Sequence, residues 1–143
     1  MKVLVPVDGS EYSMKAVEAA CDLAKTQPFS TLILLSVSIQ MPELEEGRYI
    51  AEMMKAQAGT ALAKAKEAAA SKEPRLKIDT ILATGSSPAE EIVRVAKDEK
   101  IDLIVIGSRG LASKTITFLG STAAKVVTYS PCSVLVVKKL ISV

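Results

Sequence analysis

The sequence predicts an α/β fold: an open, doubly wound, Rossmann-like parallel sheet of five strands in the order 3-2-1-4-5, with helices on both faces. Three observations predict it. Five short runs rich in Val, Ile and Leu, at 3–7, 32–39, 78–83, 103–106 and 134–137, do not alternate cleanly with polar residues, which is the pattern of strands covered on both faces. Helical periodicity fills the gaps between them. Caps and breakers fall at the joins. Strands that alternate with helices in this way imply right-handed crossovers within one sheet.

Each element has its own signal. The first helix shows Met14, Val17, Cys21 and Ala24 on one face, with Ser10 placed to cap it. The second, longer helix shows Ile50, Met54, Ala58, Ala61, Ala65 and Ala68, and Pro74 stops it. Gly59 within it is a mild cost and not a break. Residues 40–47 read as a loop. The third helix opens on Ser87, Pro88 and Glu90, a capping box with Pro at the first helical position, and carries Ala89, Ile92, Val93 and Ala96 on its apolar face. The fourth shows Ala123, Val126 and Val127, and Pro131 ends it. No internal repeat is present, and 143 residues fit one domain over 1–143 with enough chain to bury a core.

Composition excludes several function classes. The net charge is only +2, the cations are dispersed, and the aromatics are three tyrosines and two phenylalanines without tryptophan. Nucleic-acid binding calls for a concentrated basic face or stacking platforms, so it is not expected. Cys21 and Cys132 lie far apart and the chain has no histidine, so they read as small hydrophobes in a reducing compartment and not as metal ligands. The start, MKVLVPVDGS, holds an apolar run too short for a signal-peptide core, and no run elsewhere approaches a membrane span. A cytoplasmic protein with no membrane partner is expected.

Ligands of open α/β sheets bind outside the carboxyl ends of the strands, where strand order reverses. Three loops lie there: Asp8-Gly9-Ser10, Thr84-Gly85-Ser86-Ser87 and Gly107-Ser108-Arg109-Gly110. The first and third are the most distinctive, and order 3-2-1-4-5 sets them side by side, whereas 2-1-3-4-5 would pair the first strand with the third. The stretch GSRGLASKTITFLGSTAAK at 107–125 has Lys114 and Thr115 where a Walker-type loop would, but Ser108 and Ser113 stand at its glycine positions. Its own glycines are Gly107, Gly110 and Gly120, the last just before Ser121, Thr122 and a helix. A helix N-terminus is an anion site, and Arg109 and Lys114 add positive charge. Spacing alone leaves open a phosphate cradle or a turn followed by a capped helix. Asp8 by itself is either a cap shared with Ser10 or a group facing a ribose or a hydrated divalent ion. Val37 by itself is a core valine or the wall of an adenine pocket.

VPVDGSEYSMKAVEAA at the start, TILATGSSPAEEIVRVAKDEKIDLIVIG in the middle and DLIVIGSRGLASKTITFLGSTAAKVVTYSPCSVLVV at the end resemble the universal stress protein family. Gly107, Gly110, Gly120 and Ser121 keep the spacing of that family's ATP-binding subgroup, Gly-x2-Gly-x9-Gly-Ser/Thr, and Pro6, Asp8 and Ser10 match its amino-terminal segment. The resemblance implies that Pro6, Val7 and Asp8 lie beside the nucleoside and that Val37 walls the adenine. It places Ile106 and Gly107 near the adenosine and Arg109 and Gly110 on the loop leading to the phosphates, with Gly120, Ser121 and Thr122 cradling them. It implies ATP as ligand, Mg²⁺ or Mn²⁺ with the phosphates, and a homodimer through the last strand, residues 133–138, which open on Ser133 and close on Lys138. Arg109 stands where many members carry histidine; its planar fork suits phosphate. With no histidine and no acid in the phosphate loops, a binding switch is expected ahead of a slow ATPase or autophosphorylating protein, or a nucleotide-free interaction module. An acidic pair after the first strand, a flavodoxin-like phosphate loop and a GxGxxG fingerprint are all missing.

Overall fold

The structure, a computed structural model, describes residues 1–28, 31–40, 45–109 and 119–138, with backbone only at 45 and 46. Its elements are β1 (Lys2–Pro6), α1 (Glu11–Thr26), β2 (Thr31–Ile39), α2 (Glu45–Lys72), β3 (Ile78–Gly85), α3 (Pro88–Asp98), β4 (Leu103–Gly107), α4 (Ser121–Tyr129) and β5 (Ser133–Val137). The strands form one all-parallel sheet in the order β3-β2-β1-β4-β5, the expected topology.

Strand sequences lack alternation because both faces of the inner strands are buried. Val3, Val5 and Val7, with Leu32, Leu34 and Val105, form a core with α1 and α2. Leu4, Ile33, Leu35, Ile104 and Ile106 belong to a second core with α3 and α4. Each fully buried leucine among them contributes roughly 1.5–3 kcal/mol. The chain winds α1 and α2 over one face and α3 and α4 over the other, so winding reverses between β1 and β4 and opens a crevice at their carboxyl ends.

The helices start where their caps fall. Ser10 Oγ accepts the Ser13 N–H at 3.1 Å and caps α1. Ser87 Oγ accepts the Glu90 N–H at 3.4 Å, with Pro88 at the first helical position of α3. Helix α3 ends in a Schellman motif: the Ile101 N–H bonds Ala96 O at 2.9 Å and the Lys100 N–H bonds Lys97 O at 3.3 Å. Lys100 takes φ 54° there, where glycine is usual.

Several boundaries and faces differ from the sequence reading. Helix α2 begins at Glu45, so 45–47 are helical and not loop, while 41–44 lie outside the described residues. Strand β3 runs to Gly85 because Thr84 and Gly85 pair with Ser38 and Ile39, which removes two residues from the expected loop. The buried stripe of α2 is Ala58, Ala61, Leu62, Ala65 and Ala69, and Ile50 is 38% exposed. Length explains this: 28 residues of helix span about 42 Å and the nine of β2 about 30 Å, so the first turns of α2 overhang the sheet. In α3, Val95 and not Val93 completes the buried face, and in α4 Val127 is exposed. Cys21 is fully buried as expected, whereas Cys132 is only half-buried.

Candidate functional site

A cleft of about 620 Å³ lies over the carboxyl ends of β1, β2 and β4. Its centre is the turn after β1. The Val7 N–H extends the sheet by bonding Leu35 O at 2.7 Å. Beyond it, Gly9 takes φ 86°, a conformation that favours glycine. Asp8 Oδ1 accepts the Ser10 N–H at 2.9 Å, and the Asp8 N–H donates to Ser13 Oγ at 3.3 Å. Ser13 Oγ in turn donates to Ser10 O at 3.0 Å. Asp8, Ser10 and Ser13 are thus tied into one network by four hydrogen bonds, with Ser10 as the cap of α1 and Asp8 bracing the cap. The two roles open for Asp8 are compatible: its carboxylate braces the turn and also lines the cleft.

On the α3–α4 side, Leu35, Val37, Ile92 and Ile106 form an apolar wall. Pro6 at the end of β1 joins them along the floor. On the α1–α2 side, Ser36, Met54, Gln57 and Ala58 line the opposite wall.

At the far end the β4 loop meets the start of α4. The Ser108 N–H bonds Val137 O at 2.9 Å and the Gly120 N–H bonds Ser108 O at 2.7 Å, so the two described ends of the 110–118 span are tied together. A Cβ on Gly120 would lie 3.1 Å from Ser108 O and 3.3 Å from the Arg109 Cα, so only glycine allows this approach without a shift. Gly120 is also the N-cap of α4 and makes no side-chain cap bond, unlike Ser10 and Ser87. The first intrahelical bond is from Ala124 to Gly120 O, so the N–H groups of Ser121, Thr122 and Ala123 precede it. All three residues line the cleft, as does Arg109, which is only 9% exposed. Among the described residues Asp8 is the one acidic and Arg109 the one basic group on the lining.

Of the eleven positions singled out from sequence, ten line this one cleft: Pro6, Val7, Asp8, Val37, Ile106, Gly107, Arg109, Gly120, Ser121 and Thr122. Gly110 lies outside the described residues, as do Lys114 and Thr115. The α2 and α3 contributions, Met54, Gln57, Ala58, Pro88 and Ile92, were missed as cleft residues. Met54, Ala58 and Ile92 did carry a signal, since each continues an apolar helical stripe to the carboxyl edge of the sheet. The cysteines lie elsewhere, and burial pushes the Cys21 thiol above its ordinary pKa, away from reactive thiolate. Among the described residues no helix is long and apolar enough to cross a membrane, and no cluster of three His, Cys, Asp or Glu could hold a metal by itself.

The chain and its fold have counterparts of known family. The model of the universal stress protein family matches residues 1–138. Universal stress protein YxiE of Bacillus subtilis (strain 168) is 38% identical, with 96% of this chain and 98% of that one covered. Universal stress protein UspA from Lactobacillus plantarum superposes with a TM-score of 0.79 at 28% identity, covering 96% of this chain and 97% of that one. A universal stress protein solved in complex with cAMP is similar at a TM-score of 0.73 and 28% identity, covering 96% of each chain. With its sheet order, its length and its sequence matched together, the chain belongs to the universal stress protein family.

Proposed function

We propose that this chain is a cytoplasmic, ATP-binding member of the family that acts as a nucleotide-dependent switch and not as a fast enzyme. The observation that carries the reading is the composition of one cleft: an apolar slot, a braced carboxylate and an uncapped helix start with a buried guanidinium. Each part suits one part of an adenine nucleotide. Leu35, Val37, Ile92 and Ile106 suit the base, and Asp8, beside Pro6 and Val7, suits the ribose hydroxyls. Gly107, the last residue of β4, goes with Ile106 to the adenosine, and Gly110, outside the described residues, goes with Arg109 to the phosphates. The N–H groups and hydroxyls of Ser121 and Thr122 after Gly120, with Arg109, suit the phosphates. The complex of a similar family member with cAMP supports an adenine nucleotide as ligand class.

The donor set fits a divalent ion brought in with the phosphates. Asp8 is the single acid on the described lining, and Mg²⁺ or Mn²⁺ commonly binds through one carboxylate, phosphate oxygens and water. When bound, such an ion supplies charge neutralisation between phosphate oxygens. Binding is favoured over turnover because Asp8, assigned to the ribose and the ion, is the single acid on the described lining, with no second one there to orient a water.

We further propose a homodimer through β5. Its described sequence, SVLVV, carries no charge, Leu135 is 42% exposed, and its outer edge meets no strand among the described residues. The opposite edge strand, β3, carries Asp79, a charge of the kind that discourages strand addition.

Isothermal titration with ATP and Mg²⁺ tests the nucleotide reading. Saturable binding with one nucleotide per chain is expected. Absence of heat at millimolar nucleotide with the protein folded would overturn it.

A further inference from the structure

Gly107 lines the cleft, yet the direction its side chain would take runs into the first turn of α1. A Cβ built there would stand 2.7 Å from the main-chain O of Tyr12, 2.8 Å from its carbonyl carbon and 3.0 Å from its Cβ. Two of these atoms are backbone, so no flexible side chain can give way. The first turn of α1 therefore lies directly on the end of β4, and any residue larger than glycine must push them apart.

That turn is also the one that holds Asp8. Tyr12 sits between Ser10 and Ser13, whose four hydrogen bonds lock the Asp8-Gly9-Ser10 turn. From the other side, Ala61 of α2 comes within 3.9 Å of a Cβ placed on Gly9. The turn lies between α2 and β4, and its hydrogen bonds offer a route from Tyr12 through Ser13 to Asp8.

Resting on the nucleotide reading above, we propose that Gly107 is a positioning residue for the nucleoside end of the cleft, acting through α1 on Asp8, and is not a support for the phosphates. The first glycine of the motif then serves a different half of the ligand from Gly120, although both belong to one stretch of sequence.

Two measurements on Gly107→Ala test this. The first is amide hydrogen exchange at Ser10 and Ser13 in the ligand-free chain, which reads the coupling without any ligand. Exchange is expected to rise at least about tenfold at both amides. The second is affinity for ATP and for adenosine, both measured without added divalent ion so that Asp8 is read through the nucleoside alone. Both are expected to fall by the same factor, roughly tenfold or more, leaving their ratio unchanged. Ser13→Ala removes the hydroxyl that accepts the Asp8 N–H without touching β4, and the same equal loss is expected; if Gly107→Ala does not fold, unchanged adenosine affinity in Ser13→Ala overturns the proposed path. Unchanged exchange at Ser10 and Ser13, or a loss confined to ATP with adenosine binding kept, overturns the proposal. If the wild-type chain binds neither ligand, the nucleotide reading falls, and the exchange data alone decide whether Gly107 controls the Asp8 turn.

Discussion

Arg109 and Lys100 both sit in settings unusual for their residue types. Arg109 is 9% exposed in a cleft that holds no second described base. Charge-assisted hydrogen bonds from a guanidinium contribute about 1.5–3 kcal/mol each. Arg109→Met is therefore expected to lower the ratio of ATP to adenosine affinity by about tenfold or more, measured by titration of both ligands. Lys100 occupies the left-handed position that closes α3. Such a backbone costs a side-chain-bearing residue about 1–2 kcal/mol, and glycine's extra chain entropy offsets part of the gain from removing it. Lys100→Gly is expected to raise unfolding free energy by roughly 0.5–1 kcal/mol in a denaturant titration. Neither feature was legible in the sequence. Lys100 sits in a charged run, DEKID, without a glycine to mark the helix end, and burial of an arginine depends on what folds over it.

Helix α2 shows what element-level patterns can and cannot convey. Its periodicity located the sheet-facing side correctly at Ala58, Ala61 and Ala65, because a small-residue stripe lets the helix lie close to the strands. Ala65 and Ala69 are fully buried. Enlarging such a site forces neighbouring side chains off their rotamers, so Ala65→Leu is expected to cost about 1–3 kcal/mol of stability, read as a lower denaturation midpoint with unchanged slope. The same periodicity assigned Ile50 to the core, because a stripe does not reveal where the sheet beneath it ends. For that reason Met54, Gln57 and Ala58 became visible as cleft wall only once the overhang of α2 was known. Loop glycines were legible as a group but not by purpose. Gly107 makes room for α1 and Gly120 makes room for Ser108 and Arg109, a distinction that lies in tertiary contacts.

At the scale of the molecule, topology was the most legible feature. Strands buried on both faces leave an unmistakable pattern, and the contrast between the loops after β1 and β4 chose the strand order. That order brings residues 6–8 into one cleft with Ile106, Gly107, Arg109 and residues 120–122, about a hundred positions later in the chain. The sheet's two edges differ in charge, which is the basis for assigning β5 to self-association. Leu135→Lys places a charge on the exposed side of that edge and is expected to convert a dimer to a monomer in light scattering coupled to size exclusion. A wild-type chain that is monomeric at tens of micromolar would overturn the dimer without touching the nucleotide site.

The central claim is that one cleft at the reversal between β1 and β4 holds the adenine nucleotide. Titrating ¹⁵N-labelled protein with ATP and Mg²⁺ and following amide resonances tests it most directly. Shifts are predicted at Val7, Asp8, Val37, Ile106, Gly120, Ser121 and Thr122, with the outer α3–α4 groove lined by Val93, Lys97 and Tyr129 unaffected. Shifts confined to that outer groove, or none at millimolar ATP, would contradict it.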